Sequence, residues 1–186
     1  MSVEEFLDWE PGDGQAWQLV DGEPQAMSPA KRTHGALQNE LGSLIRNHLM
    51  AQGGLCSVIS APGVIPHVQA SHNVRIPDLA VTCVDYEVEE AALADPVLVI
   101  EILSPSNQAE TWSNVWTYTT IPSVQEILVL RSMKIGADLL RRRKDGSWPQ
   151  EPESITSGYL VLESIGFRVL LADIYRTTRL RRPTGE

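Results

Sequence analysis

Two short, β-branched-rich apolar runs, residues 79–84 and 97–103, most constrain how this chain folds. Each follows a proline, Pro77 or Pro96, and neither is long enough for an ordinary helix. Both read as buried strands of a mixed sheet. Each is also marked by an acid: Asp78 opens the first run and Glu101 interrupts the second. An unneutralised carboxylate in such a setting costs on the order of several kcal/mol. Two of them on neighbouring strands repel one another and invite a cation. The alternative is structural, with Asp78 opening a strand and Glu101 pairing with an arginine.

A chain of 186 residues, 42% of them hydrophobic, suits one domain with a proper core. We expect a single domain over residues 1–176 and a basic tail over 177–186. Cys56 and Cys83 both sit in apolar, strand-like contexts without metal-ligand spacing, and so read as buried, reduced thiols of a cytoplasmic protein. No apolar run approaches the length of a membrane span, and the acidic N-terminus is unlike a signal peptide.

The net charge of −9 argues against an indiscriminate nucleic-acid coat, yet it is unevenly spread. Residues 1–130 hold 4 Lys/Arg and 17 Asp/Glu, whereas residues 131–186 hold 11 and 7. The basic residues of the second part gather in two clusters, 141–144 and Arg176, Arg179, Arg181 and Arg182. Such clusters either form a phosphate-facing edge beside an acidic site or remain solvated hairpin and tail charges.

Along the chain, residues 3–8 predict a short helix stopped by Pro11 and Gly12. Residues 17–20 and 23–27 flank Asp21-Gly22, a hairpin signature. Thr33 is placed to cap a helix over 34–52, in which Leu37, Leu41, Leu44, Ile45 and Leu49 line one face and Gly53 ends the pattern. Strands are expected at 56–59, 64–67 and 74–84, an acidic loop at 85–95, a strand at 97–103 and a helix at 110–120. Further strands follow at 126–130, 137–141, 159–162 and 167–171, with a last short helix at 173–175.

The ordered set Leu19-Val20-Asp21-Gly22-Glu23, His34, Arg75-x-Pro77-Asp78, Glu101-x-x-Ser104-Pro105-Ser106, Tyr118 and Glu126-x-Leu128-Val129 resembles the Uma-type restriction endonucleases of the PD-(D/E)XK nuclease superfamily. The resemblance spans about residues 5–176. It implies an α/β fold, with a restriction-endonuclease-like mixed sheet flanked by helices and a metal site at one strand end. Hydrolysis of a phosphodiester needs a water nucleophile, neutralisation of charge on the phosphoryl oxygens and help for the leaving oxygen. Asp78 and Glu101, with the main-chain carbonyl of Ile102 as third oxygen, would offer Mg²⁺ or Mn²⁺ part of an octahedron. DNA is the implied substrate, and a homodimer the implied assembly.

The chain departs from the family pattern at two places. Where the superfamily often keeps lysine, two positions after the second acid, stands Leu103. Uma-type chains often carry that lysine four residues before the tyrosine, and here that position is Asn114. Asn can orient water but serves as neither base nor cationic acid. The acid that often precedes Leu-Val-Asp-Gly is Gln18. Lys31, Lys134 and Lys144 occupy no position the family would use.

His34 either contacts substrate from the start of its helix or is an ordinary surface histidine, and His67 and His72 read as loop residues. Trp112 and Trp116 either stack on bases or serve core and dimer packing. Three functions remain open: a metal-dependent DNA endonuclease with Asp78, Glu101, Asn114 and His34 as its catalytic set, a degenerate relative that binds metal or nucleic acid without turnover, and a non-enzymatic interaction domain.

Overall fold

The computed structural model describes residues 1–12, 14–87 and 90–181. In chain order its elements are helix α1 (Val3–Leu7), hairpin strands β1 (Trp17–Val20) and β2 (Glu23–Ala26), helix α2 (Arg32–Gln52), strands β3 (Ser57–Ser60), β4 (Leu79–Thr82) and β5 (Pro96–Leu103), and helix α3 (Gln108–Tyr118). Strands β6 (Glu126–Arg131), β7 (Ala137–Arg141), β8 (Glu153–Ile155), β9 (Tyr159–Leu162) and β10 (Phe167–Leu170) and helix α4 (Leu171–Ile174) complete it.

Six strands form the central sheet in the order β3-β4-β5-β6-β7-β8. Only β5 and β6 run parallel, so the chain must cross from one end of β5 to the other end of β6, and α3 makes that crossing. The side-chain alternation of β5 assigns its two faces. Leu98, Ile100 and Ile102 join Leu37, Leu41, Ile45 and Leu49 of α2 in one core layer, and Val99 joins Val115 and Tyr118 of α3 in the other. Glu101 shares the parity of Val99, which directs its carboxylate toward α3.

Local chemistry explains most of the boundaries. Ser2 and Glu5 cap α1 reciprocally. Asp21 and Gly22 adopt φ of 50° and 86°, as a tight two-residue hairpin turn requires. Helix α2 ends where Gly53 takes a left-handed conformation, φ 67°.

Several expectations need correction. Lys31, extended at ψ 158°, precedes the first turn of α2, so Thr33 lies inside the helix and does not cap it. Residues 64–67 form no strand; Val64 makes only an isolated bridge to Arg75, between Pro62 and Pro66, which lack amide donors. The run 74–84 is broken at Pro77, leaving Leu79–Thr82 in the sheet while Val74 and Arg75 bridge back to Leu19 and Val64. Strand β8, three largely exposed residues on the sheet edge, carries too little apolar pattern to announce itself. The acidic loop falls partly on residues 88 and 89, which lie outside the described residues.

The cysteines are not free thiols. Antiparallel pairing of β3 with β4 sets Ser57 opposite Thr82, which brings the flanking Cys56 and Cys83 together as a disulfide. The cytoplasmic expectation rested on reduced thiols and loses that support. Among the described residues, no helix is long and apolar enough to cross a membrane.

The basic clusters are largely committed to structure. Arg141 Nε donates to Glu126 Oε1 at 2.8 Å, and Glu126 also accepts from the Glu163 and Ser164 main-chain amides. Arg142 donates to the carbonyls of Thr119, Ile121 and Pro122 and lies over the Trp148 ring. Arg176 reaches Glu40, and Arg181 pairs with Asp173. Of the expected tail, Leu180 packs against the core, while residues 182–186, Arg182 among them, lie outside the described residues.

Thiol titration of the denatured, non-reduced protein is expected to find no reactive cysteine. Reduction should lower the melting temperature, since the bridge joins residues 27 apart. A loop of that size corresponds to roughly 3–4 kcal/mol in the chain-entropy account.

Candidate active site

At the carboxyl end of β5 lies a cleft of about 460 Å³ whose walls include His34, Asp78, Glu101 and Asn114. Four elements bring these residues together: the start of α2, the approach to β4, the β5 strand itself and α3. Continuing the β4–β5 register beyond Leu79↔Ile100 would set Pro77 opposite Ile102. Proline has no amide hydrogen to give, so the Ile102 carbonyl loses its ladder donor there. The Ile102 N–H donates to Asp78 Oδ2 at 2.6 Å.

The other Asp78 oxygen, Oδ1, lies 2.6 Å from His34 Nε2, and the Asp78 carbonyl accepts from Gln38 Nε2 at 2.8 Å. Two residues one turn apart on α2 therefore fix this acid. Glu101 is held from the other layer, where the Tyr118 hydroxyl donates to its Oε1 at 2.7 Å. Burial, and then the facing Asp78 carboxylate, push Glu101 well above the ordinary value of 4.5. Tyr118 is likewise held as the phenol by burial and by Glu101.

No arginine neutralises the pair. Arg75 is buried, but its Nη1 donates to the Leu19 carbonyl at 2.7 Å. Among the described residues, the ion pairs include His34 with Asp78 and none from Lys or Arg to either acid. Among the described residues, Glu101 thus has no arginine partner, whereas Asp78 has a basic one in His34.

Asn114 lines the cleft and is engaged. Its Nδ2 donates to Gln18 Oε1 at 3.4 Å, and Gln18 Nε2 donates to Glu110 Oε1 at 2.8 Å. The two departures from the family pattern thus form one hydrogen-bonded pair of carboxamides, which the Glu110 carboxylate, one helical turn before Asn114, extends. Sequence reasoning passed over Glu110 although its i, i+4, i+8 spacing with Asn114 and Tyr118 was a usable signal. It also set aside Lys31, which the fold brings to the cleft as the one Lys or Arg among its described lining residues.

The arrangement suits a hard divalent cation. Two carboxylates face each other with no Lys or Arg partner among the described residues, His34 touches only Asp78, and the buried Glu101 is destabilised as an anion until positive charge arrives. Among the described residues, no three His, Cys, Asp or Glu side chains converge as a metal cluster. A cation held here would need main-chain oxygen, water or substrate as further donors.

Comparison with known proteins bears on family and fold. The family model described as "Uma2: Putative restriction endonuclease" matches residues 3–167. The chain belongs to the Uma2 family. An uncharacterized protein, slr1290, of Synechocystis sp. (strain ATCC 27184 / PCC 6803 / Kazusa) is 31% identical over 178 residues, covering 95% of this chain and 92% of that protein. A crystal structure of "a putative nuclease belonging to DUF820" from Anabaena variabilis ATCC 29413 superposes with a TM-score of 0.77 at 18% identity, covering 95% of this chain and 98% of the other. The α/β, restriction-endonuclease-like architecture expected from the sequence is the one observed.

The pH dependence of stability tests the acid pair. Folded Glu101 holds its proton at pH values where the unfolded chain has released it. Its contribution is therefore fully present below about pH 4.5 and is lost as pH rises through the raised folded value. The slope in that window is about 1.4 kcal/mol per pH unit. Glu101→Gln should flatten the decline in melting temperature and stabilise the protein at alkaline pH; an unchanged profile would place the proton elsewhere.

Proposed function

We propose that this Uma2 protein is a divalent-metal-dependent endonuclease that hydrolyses DNA phosphodiester bonds in the Asp78/Glu101 cleft. The observation that carries the reading is the opposed carboxylate pair without a Lys or Arg counterion. Asp78, Glu101 and the carbonyl of Ile102 would hold Mg²⁺ or Mn²⁺. In a β-strand both polar main-chain groups of a residue point the same way, so the Ile102 carbonyl faces the side where its N–H meets Asp78. When bound, such an ion supplies charge neutralisation at the phosphoryl oxygens and eases deprotonation of water.

The side chains divide the remaining work. His34 fixes Asp78 Oδ1 while Tyr118 fixes Glu101 Oε1, so neither carboxylate reorganises when substrate arrives. Asn114 offers an amide oxygen to orient a water but cannot take its proton. Lys31, exposed on the cleft wall, adds a positive charge for a phosphate. A homodimer would let two clefts address two strands, with exposed Trp116 on α3 as the contact; light scattering that returns only monomer at high concentration removes that part.

A second reading is favoured by the uncharged Gln18–Asn114 pair: the protein keeps metal and nucleic-acid binding without turnover. Nicking of supercoiled plasmid at low salt with Mn²⁺ separates the two. The endonuclease reading expects nicking that chelator abolishes and that Glu101→Ala lowers by about 10²-fold or more. Equal inactivity of both proteins, together with metal-strengthened binding of intact DNA, selects the second reading.

The Gln18–Asn114 pair generates its own prediction. Gln18 is buried and donates to Glu110, so Gln18→Glu alone sets a second carboxylate against that acid. That single variant should lose about 3 kcal/mol or more in chemical denaturation, and adding Asn114→Lys should recover most of that loss. The double variant should also nick plasmid faster than wild type.

A further inference from the structure

A second groove, of about 740 Å³, begins where the first cleft ends. Ser104, three residues beyond Glu101, lines both hollows, which places the groove beside the cleft at the carboxyl end of β5. Its walls include Gln108 and Trp112 of α3, and Met133 and Lys134 of the β6–β7 turn.

The charge and texture of this groove differ from those of the cleft. Arg131 at its floor is bound by Asp138 through both carboxylate oxygens and also donates to Ser154 Oγ at 2.7 Å. That pair is neutral, which leaves the exposed Lys134 ammonium as the unbalanced charge of the lining. Trp112 is half-buried, part of its ring system packed against the Val115 and Tyr118 layer and part facing the groove. Met133 is 67% exposed beside it, an apolar surface that no described element covers. One cation, apolar surface that includes an indole, and a carboxamide from Gln108 match the recurring parts of a single-stranded nucleic acid, phosphate and base.

We propose that this groove holds an unpaired nucleic-acid strand flanking the scissile bond, with a base against Trp112 and a phosphate on Lys134. The proposal rests on the nuclease reading and deepens it: the substrate reaches the cleft as a single or frayed strand. In duplex DNA the neighbouring base is stacked and cannot lie on the indole. The shared Ser104 sets the groove of Lys134 next to the cleft of the acid pair, within reach of one strand.

The test uses the full chain and a fluorescein-labelled twelve-residue oligothymidylate, read by anisotropy in EDTA so that no turnover interferes. Lys134→Ala should weaken binding by about three- to tenfold and lower the salt slope by about 0.7, as for one lost single-strand phosphate contact. Lys144→Ala removes the same charge from the distant β7–β8 loop and should change little. Crosslinking with a bromouridine-substituted strand should label peptides containing Trp112 or Met133–Lys134. Equal effects of the two lysine variants, crosslinks confined to other peptides, or binding no tighter than to a duplex of the same length would overturn the proposal. If Glu101-dependent plasmid nicking persists in that case, only the groove assignment falls. If nicking and oligonucleotide binding are both absent, the nuclease reading falls with it. Saturable capture of a peptide by the groove without oligonucleotide binding would assign it to a protein partner and also overturn the proposal.

Discussion

The hydrogen bond from the Ile102 amide to Asp78 Oδ2 organises everything around the cleft. It sits where Pro77 interrupts the β4–β5 ladder, since a proline cannot give the Ile102 carbonyl its donor. The acid after the proline takes over part of the pairing, which draws its carboxylate over the end of β5 and into opposition with Glu101. Helices on both faces of the sheet then secure the result, α2 through His34 and Gln38 and α3 through Tyr118. The Pro-Asp dipeptide is thus a device for ending a strand and presenting an acid in the same two residues.

Much of this was legible because the two acids interrupt runs whose apolar character has no other reason to break. Helix α2 and strands β5, β6 and β7 carry strong periodicity or strong continuity, and each was placed within a few residues. The failures share a cause, which is long-range geometry that a local pattern does not encode. The run 74–84 reads as one strand unless Pro77 is given its full weight. Cys56 and Cys83 read as separate buried thiols until strand pairing sets them opposite each other. Lys31 has no motif spacing and acquires its place only through the direction in which α2 enters the cleft.

The relation between Gln18 and Asn114 is also invisible at 96 residues of separation. Read singly, each is the loss of a charge. Seen together with Glu110 they form one hydrogen-bonded patch in which neither side chain leaves the other as a buried ion. The basic clusters teach the converse lesson. Arg141, Arg142 and Arg176 suggest an electrostatic surface, yet they bind Glu126, main-chain carbonyls and Glu40 and hold the sheet periphery together. The positive charge near the candidate site comes instead from isolated lysines.

The Cys56–Cys83 bridge bears on how the site-bearing segment moves. Between the two cysteines the chain leaves the sheet after β3, wanders over residues 61–78 and returns as β4 with Asp78 at its head. Strand β3 is the sheet edge, four residues without a charged side chain, and an unprotected edge of that kind frays readily and offers itself to foreign strands. With the bridge closed, fraying cannot run past the cysteines, and the excursion becomes a covalent ring. Amide exchange along β3 and β4 then proceeds through openings confined to that ring or through concerted unfolding with the rest of the sheet. Asp78, five residues before Cys83, belongs to that ring and is tethered to the edge strand through the bridge as well as through β4.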